Sequence, residues 1–194
     1  MNKIRVFCIF YLGLFVISTG CGHILYADGP YSGKVIDSET KQPIEGAAVV
    51  AVWSKESPSV GHYKVSYYDA QDTLTDRDGN FTIPGVTGGS LNPLAKIREP
   101  SFTIFKPNFE AYKARRLSSA TEAGRTIVQL SPLTKKSREE KIRNLDLLLP
   151  RECDSEVRDF CVPQEKLRNL LRLKNIEESN LGLQPTYFQK EGGR

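Results

Sequence analysis

Only two histidines, His23 and His62, occur among the 194 residues, so any imidazole-based acid–base, relay or zinc chemistry must use one or both. His62 adjoins Tyr63, with Tyr67 and Tyr68 just beyond and Trp53 upstream. Aromatic faces stack on apolar faces such as those of sugar rings, which makes Trp53, Tyr63, Tyr67 and Tyr68 the candidate ligand-binding residues. A serine nucleophile would need His62 as its base, and no Gly-x-Ser-x-Gly elbow presents one. Neither His-x-x-Glu nor His-Glu-x-x-His occurs, and Gly85 to Ser90 lacks the Lys-Ser/Thr of a phosphate loop. Asp76-Arg77-Asp78-Gly79-Asn80 has the acidity of a calcium loop, but an EF-hand with this glycine needs an oxygen ligand at position 74 and a glutamate at 85, where Leu74 and Gly85 stand. No metal, cofactor or catalytic residue is therefore assigned.

The cysteines carry more information. Lys3 and Arg5 precede an uncharged, mostly apolar run of 12 residues, 6–17, which leads into Ser18-Thr19-Gly20-Cys21. Twelve residues of helix cover about 18 Å, short of the roughly 30 Å of a bilayer core, so residues 1–20 read as an export signal. The junction resembles the lipobox of bacterial lipoproteins, in which the cysteine after a small residue becomes the acylated N-terminus. Ser18 stands where that family favours leucine, and Ser18-x-Gly20 also fits ordinary signal peptidase, which would leave Cys21 free. With lipidation at Cys21 the expectation is an exported protein anchored on the periplasmic or outer face of the cell envelope. Loss of the signal leaves 25 basic and 23 acidic residues, too balanced to select nucleic acid. Cys153 and Cys161 then remain as a pair in an oxidising compartment, nine residues inclusive, and are expected to form a disulfide.

These residues need elements to hold them. After a tether at 21–30, residues 31–132 alternate short β-branched or aromatic runs with turn signals, the spacing of an antiparallel β-sandwich. Strands are expected over 31–36, 47–53, 64–68, 73–75, 80–83, 102–105, 113–117 and 126–130. The run Ala47-Ala48-Val49-Val50-Ala51-Val52-Trp53 is apolar throughout, as for a strand covered on both faces. Asp78-Gly79 marks a hairpin, and segments 54–70 and 85–101, rich in Gly, Pro and Tyr, read as long loops. Residues 133–194 form a helical extension. Ser137-x-x-Glu140 is a capping box for a helix ending at Pro150, and a second helix is expected from about Pro163, with Leu167, Leu170, Leu171 and Leu173 on one side and Asn180 and Gly182 at its end.

Two stretches carry a resemblance. Gly33-Lys-Val-Ile-Asp37-Ser-Glu-Thr40-Lys-Gln-Pro43-Ile44-Glu-Gly46-Ala47 is similar to the opening of carboxypeptidase regulatory-like domains, and Thr75-Asp76-Arg-Asp-Gly79-Asn-Phe81-Thr-Ile83 to their second hairpin. Lys106-Pro107-Asn108-Phe109 echoes the family's Lys-x-Gly-Tyr, with Asn tolerating the left-handed backbone that Gly would take. The resemblance implies a transthyretin-like, seven- to eight-stranded sandwich without the metallopeptidase domain. Related sandwiches that bind iron use two tyrosines and two histidines, whereas His62 alone is near Tyr63, Tyr67 and Tyr68 and His23 lies in the tether.

The expectation is thus a non-catalytic, membrane-anchored envelope lipoprotein whose sandwich is a protein-interaction or structural module. Its partners would be the membrane, through the N-terminal lipid, and an envelope protein or a glycan, not nucleic acid. The alternative is a carbohydrate-binding module using the aromatics; a hydrolase built on His62 ranks behind both.

Overall fold

The computed structural model describes residues 25–90, 92, 94–115, 117, 121–122, 125–134, 140 and 161–185. The signal, Cys21, Cys153 and, apart from Glu140, the helix expected over 137–149 lie outside the described residues. Among those described are β1 (Leu25–Asp28), β2 (Tyr31–Asp37), β3 (Ala48–Ser59), β4 (His62–Leu74), β5 (Asn80–Ile83), β6 (Val86–Gly89), β7 (Lys96–Phe105), β8 (Tyr112–Ala114), β9 (Thr121–Glu122), β10 (Arg125–Leu130), a single-turn 3-10 helix (Gln164–Lys166) and helix α1 (Arg168–Asn180).

Two four-stranded sheets, β5-β2-β10-β9 and β4-β3-β7-β8, enclose the main core, and β1-β6 form a small ribbon beside it. The fold is mainly β with a C-terminal helix, as expected, and the described residues hold ten strands, against the seven to eight expected. One pair also departs from the antiparallel expectation: β10 runs parallel to β2. The chain between them crosses to the other sheet and back, which is the long connection that parallel neighbours require.

β3 explains its own composition. Val49, Ala51 and Trp53 point into the main core, while Ala48, Val50 and Val52 point to the opposite face, where Leu167 and the α1 residues Leu170, Leu171 and Leu173 cover them. An unbroken apolar run is the signature of a strand with two buried faces, and here the second cover is a helix. Segments 54–70 and 85–101 are strands rather than loops: β3 and β4 continue as one hairpin out to Ser59 and His62, β6 occupies 86–89, and β7 starts at Lys96. Segment 25–28, read as tether, is β1, paired with β6 from Leu25↔Gly89 to Asp28↔Val86.

The turn motifs close by local chemistry. Asp37 Oδ1 accepts from the amides of Glu39 and Thr40 at 2.7 and 3.1 Å. Asp76 Oδ1 accepts from those of Asp78 and Asn80 at 2.9 and 2.8 Å, and the backbone amide of Asn80 is the main reason its carboxyl sits below the usual range. Gly79 lies at φ 75°, and a Cβ there would stand 2.4 Å from the Val35 carbonyl. Asn108 takes φ 67°, the conformation expected of it. Thr75 is buried because its hydroxyl donates to the Ile44 carbonyl at 2.7 Å and accepts from the Ala47 amide at 2.8 Å.

Candidate interaction surface

The four aromatics singled out in the sequence are not brought together. β3 and β4 shift register after Trp53, which pairs with Asp69 while Ser54 pairs with Tyr67, so Tyr68 is the extra residue of a bulge. Successive residues of a strand face opposite sides, and both faces of this sheet are covered, so Tyr68 packs on the main core and Tyr67 on the cluster beneath α1. Trp53 is completely buried, and Tyr63, far out on the hairpin, is 70% exposed. Of the four, Tyr63 alone offers an open ring face. His62 has Nδ1 3.0 Å from the backbone carbonyl of Val60, within the hairpin turn.

Asp28, which sequence reading left in the tether, organises the region instead. Its Oδ2 accepts from Trp53 Nε1–H at 2.8 Å and from the Tyr26 hydroxyl at 2.9 Å, and its Oδ1 accepts from the Tyr31 hydroxyl at 2.7 Å. Burial works to raise the Asp28 carboxyl, but the bonds from Tyr31, Trp53 and Tyr26 outweigh it and hold the group below the usual carboxylate range. Both tyrosines are pushed up, first by burial and then by Asp28 itself. Around this carboxylate, Tyr31 meets Phe102 edge-on and Trp53 at a tilt, and Tyr26 meets Tyr68 edge-on. The ribbon fits over these rings because Gly88 has no side chain: a Cβ there would stand 2.0 Å from the Tyr68 hydroxyl. The sequence clue was the spacing of Tyr26, Asp28 and Tyr31, three polar-tipped residues within six positions.

A second set of carboxylates fastens α1. Asp72 on β4 accepts the backbone amides of Asn169 and Leu170 at 2.6 and 3.2 Å, Glu177 accepts that of Asn108 at 2.9 Å, and Lys166 bonds Asp69 at 2.9 Å. Burial pushes the Asp72 carboxyl up to about 6. Cys161, just ahead of the 3-10 turn, is disulfide-bonded.

Where α1 stops, the same face of the second sheet opens into a groove of about 990 Å³ lined by Val52, Ser54, Glu56, Val65, Lys96 and Arg98 among others. Arg98 and Glu56 are ion-paired across it. The groove is broad, open to solvent and lined by charges of both signs, a surface suited to a polypeptide more than to a compact enzyme substrate.

Fold and surface define a β-sandwich domain with a helix docked on one sheet and a long hairpin projecting beyond it. No family model and no curated protein matches the chain. Among solved structures, a Streptococcal ancillary pilin aligns at 13% identity and a TM-score of 0.24, over 55% of this chain and 30% of the pilin. The aligned region is less than a third of the pilin, and overlap at that level establishes neither a common fold nor a common role.

Proposed function

We propose that the protein is a non-catalytic lipoprotein of the cell envelope, held to a membrane through Cys21, with a carboxypeptidase regulatory-like sandwich acting as a protein-interaction or structural module. The observation that carries this is the use to which its polar groups are put. Asp28 holds aromatic rings, Asp72 and Glu177 hold α1, Asp37 and Asp76 close turns, and His62 meets a backbone carbonyl rather than a carboxylate. A general base poised over a nucleophile has no counterpart among these contacts. What the domain offers instead is the mixed-charge groove and the outer rim of β4, an edge of the sheet order β4-β3-β7-β8. The residues of the two motifs that carry the resemblance shape turns and core, which is the use this reading gives them.

Two measurements test this. Cys21→Ser should move the full chain from the membrane to the soluble fraction, with acylated Cys21 found by mass spectrometry in the wild type; a Cys21→Ser chain that stays on the membrane overturns the anchor. A partner cross-linked to the membrane-extracted protein should be lost with Arg98→Ala. An exposed ion pair contributes at most about 1 kcal/mol, so that loss reports the surface and not the fold. Turnover of a substrate that vanishes with His62→Ala would overturn the non-catalytic assignment.

A further inference from the structure

Among the described residues, the large apolar side chains most open to solvent are Val60 at 97%, Leu94 at 71% and Tyr63 at 70%. All three lie at one end of the molecule. Val60 is in the turn between β3 and β4, and Tyr63 pairs with Pro58 one rung inside it. Two rungs further in, Val65, Glu56 and Lys96 stand side by side across β4, β3 and β7. Leu94 precedes Lys96 by two residues, so it reaches at most about 7 Å from that rung.

The chain also enters at this end. Leu25 opens β1 opposite Gly89, and Gly89, Tyr26, Leu94 and Lys96 surround one cavity of about 360 Å³. Three residues separate Cys21 from Leu25, a span of at most about 14 Å even when fully extended. An acylated Cys21 therefore brings this end, and not the end where α1 meets Asn108, to the bilayer. The charges suit such a surface: Lys55, Lys64 and Lys96 lie on this stretch of hairpin and β7, while Glu56 is engaged by Arg98.

We propose that the tip of the β3–β4 hairpin and the start of β7 form a second membrane contact, in which Val60, Tyr63 and Leu94 enter the interfacial layer of an anionic bilayer and Lys55, Lys64 and Lys96 meet its headgroups. Apolar side chains beside lysines supply both components of interfacial binding, area removed from water and attraction to anionic lipid. The domain then stands on the membrane in a fixed orientation, with the Glu56–Arg98 groove opening sideways and α1 held away from the lipid. The orientation rests on the Cys21 anchor; the affinity of the tip for lipid does not.

The test uses vesicles of phosphatidylglycerol and phosphatidylethanolamine. With the lipidated chain reconstituted in vesicles carrying brominated acyl chains, Leu94→Trp fluorescence should be quenched and that of Ile176→Trp, on the outer side of α1, should not; buried Trp53 is a constant background. Equal quenching at the two positions, with the protein still floating on the vesicles, overturns the contact and leaves the anchor standing. The Cys21→Ser chain should retain weak flotation that falls at least about fivefold when Val60, Tyr63 and Leu94 are all replaced by Ser, and falls again in about 0.5 M salt. If Cys21→Ser floats no better than that triple variant, the contact is overturned whatever the state of Cys21. If the wild type floats no better than Cys21→Ser, it is the anchor that fails. A concentration-dependent dimer abolished by the triple substitution would assign the tip to a second copy of the chain and overturn the membrane contact.

Discussion

Asp28 shows how much one carboxylate can hold. Three donors from three strands, Tyr26 of its own β1, Tyr31 of β2 and Trp53 of β3, converge on it, the last being the indole N–H of a completely buried side chain. Asp28→Ala would leave that N–H without a partner, so the variant should lose about 2 to 3 kcal/mol in urea unfolding at pH 7. The sign of the pH dependence follows from a depressed carboxyl. Its contribution is complete above the unfolded value of about 4 and is lost as pH falls through the lower folded value, so the gap between wild type and Asp28→Ala should close in acid. An unchanged gap at pH 2 would show that Asp28 acts by shape alone. Cys161 is engaged in a disulfide, and the sequence expectation is that Cys153 is its partner. Its nine-residue loop should contribute ~2.5 kcal/mol by the chain-entropy estimate. Alkylation without reductant followed by peptide mapping checks the pairing, and free thiols at both positions would reject it.

At the scale of elements, α1 is a helix that borrows its cap. Leu167 precedes it and supplies no side-chain acceptor, so the first amides of Asn169 and Leu170 are met by Asp72, 97 and 98 residues earlier on β4. The leucine stripe and Gly182, at φ 76° after the last turn, were legible because they are local in sequence; the cap was not, because the sheet supplies it. Asp72 gains this role at the expense of hydration, and its Oδ1 is buried without a hydrogen bond. Its carboxyl is raised, so the protonated form is the better tolerated one: stability is greatest below the unfolded value near 4 and declines as pH rises toward 6. The decline should be on the order of 2 to 3 kcal/mol. Asp72→Asn, which keeps an acceptor for the two amides, should flatten the stability profile between pH 4 and 6. A variant whose profile keeps the full wild-type slope would locate the titration elsewhere.

For the whole molecule, β3 is the shared member: one face completes the sandwich and the other receives α1. Helix and sheets should therefore unfold together. Leu170→Ala, at a completely buried site against that second face, should cost about 2 to 4 kcal/mol and lower a single transition followed by circular dichroism. Leu183→Ala, at a position 37% exposed, should change stability by less than about 0.5 kcal/mol. Separate helix and sheet transitions would mean that α1 is an accessory and not part of the core.

Whatever depends on a few consecutive residues could be read from the chain. Asp37 and Asp76 close turns on their own neighbours, Gly79 and Asn108 accept left-handed backbone, and the run through Trp53 must be buried on both faces wherever it sits. Tertiary structure alone decided the rest. Pro58, Gly61 and Pro100 break the local strand signal, yet β3, β4 and β7 pass through or between them because cross-strand bonding to distant partners outweighs local preference. Tyr67 and Tyr68 look like one platform in the sequence, but in a strand with both faces covered, as only the fold reveals, adjacent residues go to different layers. Asp28 reads as part of a linker until folding brings Trp53, 25 residues away, within hydrogen-bonding distance, since a carboxylate's role is set by the donors that packing gathers around it and not by its neighbours in the chain.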